Sequence, residues 1–460
     1  MTGVQPTSRL ISYFRWEAGY FSPRSVMTAL LLLLPRNQIL ALADQIVVSA
    51  ASFLAFVFIA RSNTPAELGA YALALSVLAF CLATQESLIT KPYAIKLNDH
   101  AGSPAQHAFS VLILSLGLGG ALGIAAALTA FSLLWVGVQT ESIHFVWAVA
   151  AALPFVMMRE FARRFAFAHM AVFQALILDL SVAVLTLFAA AILYGVGAFT
   201  APMMLYCTGV SCAIAALLWA WAMRHRFAYD FSFLRPALRQ CWGLGQWFLW
   251  GSLAIQVQSY VAPWLALVLG GAAVAGLYAA CAGIVAFTNP VVFGFCNIMA
   301  PKFVRILQEH GVAALRRQAL LDALVLGSII AIFCLGILIF GSDIMHFLYR
   351  DEVYSAQSNL LVLLASAALA AAVGIPALVA LAATGRAKAV AAVMLLTACV
   401  NTILIALMLS QWGLSGAAYA LLIGEIGGAI ARWASFWFLV PRTDSFSTTQ
   451  SLSTAHPPQA

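Results

Sequence analysis

The sequence predicts an all-α polytopic membrane protein, with about twelve transmembrane helices in two parallel six-helix repeats around a central cavity. Three observations carry this reading. Hydrophobic residues make up 63% of the 460-residue chain and charged ones only 8%, whereas a soluble domain carries roughly 25% charged residues. Apolar stretches of 18 or more residues recur along nearly the whole length. The second half also repeats the polar and proline landmarks of the first at fixed offsets.

Taken in order, residues 1–37 read as a cytoplasmic N-terminal segment with an interfacial helix. Its apolar run ends at Leu34 and is interrupted by Pro35-Arg36-Asn37-Gln38, so it is short for a crossing and poor as a cleaved signal. Spans are then expected at 38–60, 68–90, 109–135, 143–160, 171–194 and 201–223. The second set falls at 245–269, 273–299, 318–341, 358–383, 389–411 and 413–438. Each can cross a hydrocarbon core about 30 Å thick at 1.5 Å per residue. These group into an N-terminal six-helix lobe (38–226), a cytoplasmic linker (227–244) and a C-terminal six-helix lobe (245–440). A disordered cytoplasmic tail (441–460) follows.

Charge orients the set. With a cytoplasmic N-terminus, all of the 23 Lys and Arg residues except Arg61 and Arg350 fall on the cytoplasmic side. Such a bias sets membrane orientation, so both termini are expected in the cytoplasm. The net charge of +7 then reports topology and not a nucleic-acid partner. The eight cysteines form no CxxC pair and read as small apolar packing residues.

The repeat is visible in particular residues. Gly69-Ala70-Tyr71 returns as Gly276-Leu277-Tyr278, an offset of 207. Pro154, Arg164 and Asp179 return as Pro376, Arg386 and Asn401, an offset of 222. An even number of helices per repeat starts both halves on the same side, which is the parallel-repeat arrangement of carriers whose cargo path runs between the halves.

Several polar residues fall within the apolar spans. Gln45, Ser49 and Ser52 lie on one face of the first helix, and Ser252, Gln256 and Ser259 repeat them in the seventh. A polar stripe in lipid must face protein or water. It therefore either packs helices together or lines the cavity. Glu425 and Arg432, also candidates to line the substrate cavity, share a face of the last helix, about 10 Å apart along its axis, which is too far for a direct pair without another partner. Gly416, Ala420, Gly424 and Gly428 on that helix form a small-residue packing stripe. Asp44, Glu86 and Asp179 sit at similar depth in the first half. They are candidates for ion coupling, or for structural pairs with Lys91, Arg159, Arg163 or Arg164. Lys91, Arg164, Lys302 and Arg386 crowd the cytoplasmic mouth, where cations could gather an anionic cargo. Topology alone also places cations there.

The Gly69-Ala70-Tyr71 helix, the Arg163-Arg164 pair and the Gly413-Leu414-Ser415-Gly416-Ala417-Ala418 stretch resemble bacterial polysaccharide repeat-unit flippases. These belong to the superfamily that also contains the multidrug and toxin extrusion carriers. The resemblance covers residues 38–440 or so. It implies export of undecaprenyl-diphosphate-linked oligosaccharide across the bacterial inner membrane, for O-antigen or exopolysaccharide, by alternating access. It also implies contact with membrane lipids, a polysaccharide polymerase and the export machinery. Asp residues in the first and fifth helices resemble the multidrug carriers, so an ion-coupled multidrug exporter is the alternative. A membrane polysaccharide polymerase is the second alternative, although the longest outward segment, 342–357, is short for an enzyme site. No phosphate loop, H-E-x-x-H motif or spaced Cys/His set occurs in the sequence. No catalytic residue, metal or cofactor is therefore expected.

Overall fold

Hydrocarbon offers a peptide group no hydrogen-bond partner, so a spanning chain must satisfy its backbone within itself. The computed structural model, which describes residues 36–97, 103–137 and 142–440, accordingly consists of helices joined by short turns. The expected interfacial helix before residue 36 and the tail after residue 440 lie outside the described residues.

The first half comprises α1 (Arg36–Ser62), α2 (Pro65–Ile95), α3 (Pro104–Trp135), α4 (Ser142–Ala168), α5 (Val172–Gly195) and α6 (Ala201–Met223). The second opens with α7 (Leu234–Gly270), which starts inside the stretch expected to be linker. Asp230 ties the shortened connection down: its carboxylate accepts from Gln106 at 2.9 Å and from the Ser232 amide at 2.9 Å. Those bonds hold the Asp230 carboxyl below the usual carboxylate range, with Ser232 the main cause.

Two helical segments are too long to be single spans. Ala272–Tyr349 runs 78 residues, roughly four times the thickness of a hydrocarbon core if straight. Gly311, at φ +75°, breaks it, and Lys302 lies 2.9 Å from Asp322 across the break. Twenty residues of straight helix would hold those groups about 30 Å apart, so the chain has reversed. This gives α8 (272–310) and α9 (312–349). After α10 (Ser358–Ala383), the 53-residue segment Ala387–Leu439 reverses in the same way at Trp412 and Gly413. Asn401 there meets Glu425 at 2.9 Å. The halves α11 (387–411) and α12 (414–439) bring the number of spans among the described residues to twelve.

Helix starts follow local chemistry. Thr64 and Glu67 form a reciprocal capping box ahead of α2, as do Ser103 and Gln106 ahead of α3, each with proline at the first turn. Near its other end α2 widens into a π-turn, Glu86–Thr90, in which the Lys91 amide reaches back to the Glu86 carbonyl. Pro92 next to it has no N–H for the ladder, and local π geometry absorbs the defect.

The apolar core is divided unevenly along the membrane normal. At the end of the bundle where α1 finishes and α2 begins, called here the far end, one cluster joins both halves. It includes Ile59, Leu68, Leu153 and Met204 from the first half and Ala266, Ala280, Tyr349 and Leu361 from the second. At the opposite, basic end the core splits. One cluster around Tyr93, Phe161, Phe165 and Trp219 belongs chiefly to the first half, and another around Met299, Phe303, Leu381 and Phe436 belongs to the second. The two halves share one core at the far end; at the basic end each has its own cluster, and they stay in contact through α7, whose Gly245 lies against the Ser87 and Leu88 backbone of α2 and whose Cys241 joins the first cluster.

Candidate functional site

The far-end junction turns on one crossing. A Cβ added at Gly276 would run into the carbonyl oxygen of Pro65 and lie 2.9 Å from the Gly69 amide. One added at Gly69 would run into the carbonyl oxygen of Ala272 and lie 2.8 Å from the Gly276 amide. Pro65 and Ala272, like Gly69 and Gly276, are 207 residues apart. The contact is therefore symmetric and lies on the pseudo-twofold axis, where α2 meets α8 backbone to backbone. Only glycine permits that approach. Arg61 clamps the same end from α1, donating to the carbonyl oxygens of Phe347 and Leu348 at 2.7 and 2.5 Å.

Below the crossing the two polar stripes behave differently. On α7, Ser252 accepts from Ser87 at 2.7 Å and Gln256 donates to the Ala79 carbonyl at 2.8 Å, both on α2. Trp264 adds a bond to Ser76 at 2.9 Å. Two of the three α7 stripe residues are thus engaged in the α2–α7 seam, and Ser259 bonds its own helix at Ile255. On α1, Gln45 has only a long 3.5 Å contact to Ser49, and Ser52 is exposed. Whereas the α7 stripe is committed to α2 at two of its three positions, the α1 stripe makes no bond to another helix among the described residues.

Behind it, within the first half, lies a charged cluster. Arg163 from α4 contacts Asp44 of α1 at 2.7 Å and Asp179 of α5 at 2.8 Å, and Arg159 contacts Asp179 at 2.5 Å. The contacts to Asp179 are close but poorly aligned as hydrogen bonds. Glu160 ties the three arginines together, reaching Arg164 at 2.8 Å, Arg159 at 3.3 Å and Arg163 at 3.5 Å. Arg164 and Lys91 then share Glu86 at 2.9 and 3.3 Å. Asp44 and Asp179 are fully enclosed as side chains. Four carboxylates face four cations, so the cluster is formally neutral. All three proposed ion-coupling carboxylates are therefore held by arginine. Glu160, the hub, was not singled out from sequence, although its i+3 and i+4 spacing to Arg163 and Arg164 is the signal that marks it.

Glu425 and Arg432 require a correction. They are buried inside the second half, and they pair directly at 3.1 Å. Helical side chains lean toward the N-terminus, so the long arginine of residue 432 bridges the two turns that the Cα separation had appeared to forbid. Arg432 also donates to the Ala371 carbonyl at 3.3 Å, and Asn401 donates to Glu425. Gly424 and Gly428 sit against Asn401 and Thr397, so the small-residue stripe lets α11 approach this polar group. Of the mouth cations, Lys91 and Arg164 are paired with Glu86 and Lys302 with Asp322. Arg386 alone of the four has no carboxylate partner among the described residues.

The twelve described helices, in two repeats, take the fold of MATE family transporters of the MOP superfamily. An inward-facing multidrug resistance MATE family transporter of that superfamily matches at a TM-score of 0.71 and 14% identity, over 88% of this chain and 95% of that one. An outward-facing multidrug resistance MATE transporter matches at 0.62 and 14% identity, over 87% and 94%. A MOP superfamily transporter from Pyrococcus furiosus, described as having a binding pocket of reverse polarity, matches at 0.62 and 15% identity over the same shares. No protein-family model and no curated protein sequence matches the chain. At these identities the likeness establishes the fold.

Proposed function

We propose that the chain is a secondary exporter working by alternating access, seen with its halves sharing one core at the far end and, at the basic end, holding separate cores that touch along α2 and α7. The partition of the core carries this reading: one apolar cluster spans both halves at the far end, and two separate clusters serve the basic end. A rocking carrier needs one closed and one openable end. By the positive-inside bias, the basic end and both termini are cytoplasmic, so the cleft faces the cytoplasm of a bacterial inner membrane. The higher score with an inward-facing neighbour than with an outward-facing one agrees with this assignment.

The first reading of the cargo is small amphiphilic molecules exported against an ion gradient. It is supported by the multidrug transporters among the structural neighbours and by Asp44 and Asp179 in α1 and α5. Coupling then works through the arginine cluster: an ion that neutralises one carboxylate leaves Arg163 or Arg159 to seek another partner. That loosens α1 from α4 and α5. Flipping of lipid-linked oligosaccharide is the second reading, favoured by one observation. The cluster is neutral, and each of its four carboxylates is paired with a cation, which leaves none of them free to attract a cationic drug.

Deletion of the gene separates the two. Raised drug sensitivity with normal polysaccharide supports multidrug export. Loss of polysaccharide with accumulation of the lipid-linked repeat unit supports flipping. Neither phenotype, together with no cargo movement by the purified chain in vesicles, would sink the exporter reading.

A further inference from the structure

The repeat exposes an asymmetry on which the transport reading does not draw. In the first half, Asp44, Glu160, Arg163 and Asp179 fill the space between α1, α4 and α5 with charge. At the repeat offsets these positions become Gly251, Ala382, Gly385 and Asn401. Charge is lost at all four, and a cavity of about 330 Å3 lies between α7, the end of α10 and the start of α11. Gly251, Ala382 and Gly385 line it together with Ala254 and Met394, and Gln258 is its one polar side chain. Only residues of the second half line this cavity.

The cavity ends at the basic face. Arg386 lies between the lining residues Gly385 and Ala387, and Lys388 follows, exposed. Neither has a carboxylate partner among the described residues, whereas the repeat-equivalent Arg164 is held by both Glu86 and Glu160. The start of α11 also has no side-chain cap; the Ala389 and Val390 amides donate to the Arg386 carbonyl, which leaves the Ala387 and Lys388 N–H groups to an anion. Apolar walls at hydrocarbon depth, with two unneutralised cations and a helix N-terminus at headgroup level, match a molecule with a hydrocarbon chain and a negative head. Basic pockets between transmembrane helices on the cytoplasmic side bind anionic lipid in this way.

We propose that this pocket holds one acyl chain of an anionic phospholipid from the leaflet at the basic end, its phosphate on Arg386 and Lys388. The lipid does in the second half what the ion cluster does in the first, filling the space behind the first helix of the repeat. The assignment is independent of the exporter's cargo.

The test is native mass spectrometry of the purified full chain, exchanged into phosphatidylglycerol or phosphatidylcholine with identical acyl chains. The wild type should retain one phosphatidylglycerol in preference to phosphatidylcholine. The R386Q/K388Q variant should lose roughly tenfold to thirtyfold of that preference, the worth of two cations near a membrane surface. A254F, which fills the cavity, should lose the single-lipid adduct. Unchanged preference in R386Q/K388Q overturns the proposal, and so does a persistent adduct in a folded A254F. Should A254F fail to fold, the charge variant decides alone, because neither cation has a pairing to lose. Competition by glycerol phosphate as strong as by phosphatidylglycerol would mean a headgroup site only, and would also overturn it.

Discussion

The glycine crossing gives the sharpest perturbation. In Gly276→Ala, the new methyl overlaps the Pro65 carbonyl oxygen and stands 2.9 Å from the Gly69 amide. Both obstacles are backbone, and neither can rotate away as a side chain would. Forcing an extra carbon into such a contact costs about 1–3 kcal/mol and sometimes more. That cost applies only in the state where α2 and α8 touch, so it shifts the balance between the two access states by roughly fivefold to 150-fold. Spin labels on the far-end loops should report a longer distance across the halves, and cargo transport should fall at least tenfold at normal membrane abundance. Gly120→Ala is the control. Nothing lies within 4 Å of its new Cβ, and helix propensity alone makes it stabilising by about 1 kcal/mol. Normal transport by Gly276→Ala, with unchanged label distances, would refute the role of the crossing as the closed end of the cycle.

Three other expectations follow from contacts already described. Gln256→Leu removes one bond to α2, worth about 0.6 kcal/mol on average in a membrane, so transport and abundance should both stay near normal; Gln45→Leu, on the unengaged α1 stripe, should impair transport at normal abundance. Asp179→Asn leaves Arg159 and Arg163 short of a counter-charge, and breaking such a buried pair costs about 3–5 kcal/mol; a melting temperature lowered together with a loss of ion-gradient dependence supports coupling, while a lowered melting temperature with intact coupling confines Asp179 to structure. Glu425→Gln and Arg432→Met should each destabilise by a similar amount and the double variant by less than their sum, measured as melting in detergent. Full additivity would mean the 3.1 Å contact contributes nothing.

The spans were legible because lipid imposes a length and a polarity on every helix: the reversal at Gly311 falls between two expected spans, and the one at Trp412 and Gly413 falls at the boundary of two. The repeat was legible because glycine and proline leave marks that survive sequence drift. Pairings were harder to read. Which of several arginines takes Asp179 depends on how α4 and α5 are rotated about their axes, and hydropathy does not encode that rotation. Arg432 meets Glu425 because a flexible side chain spans two turns, so Cα spacing was a poor guide. Gln256 shares its stripe with the cavity candidates, yet its amide is committed to α2, and only the placement of α2 against α7 decides the matter.

Repeat symmetry also separates what the fold needs from what each half adds. Gly69 and Gly276 are kept as a pair because their contact lies on the axis, where each must accommodate the other's backbone. Off the axis no such constraint acts, and the halves diverge. The first half places its buried charge between α1, α4 and α5 and joins them through arginine. The second buries Glu425 and Arg432 on α12, bound to each other and to Asn401 of α11, and Arg316 and Asp322 on α9, and leaves glycine and alanine behind α7. An ion that neutralised a carboxylate would loosen the first helix in one half only. The equivalent helix α7 is fastened to α2 of the other half through Ser252 and Gln256. Rocking driven by ion binding would therefore move α1 while α7 stays on the seam, so the half that carries the arginine cluster is the half in which coupling can act.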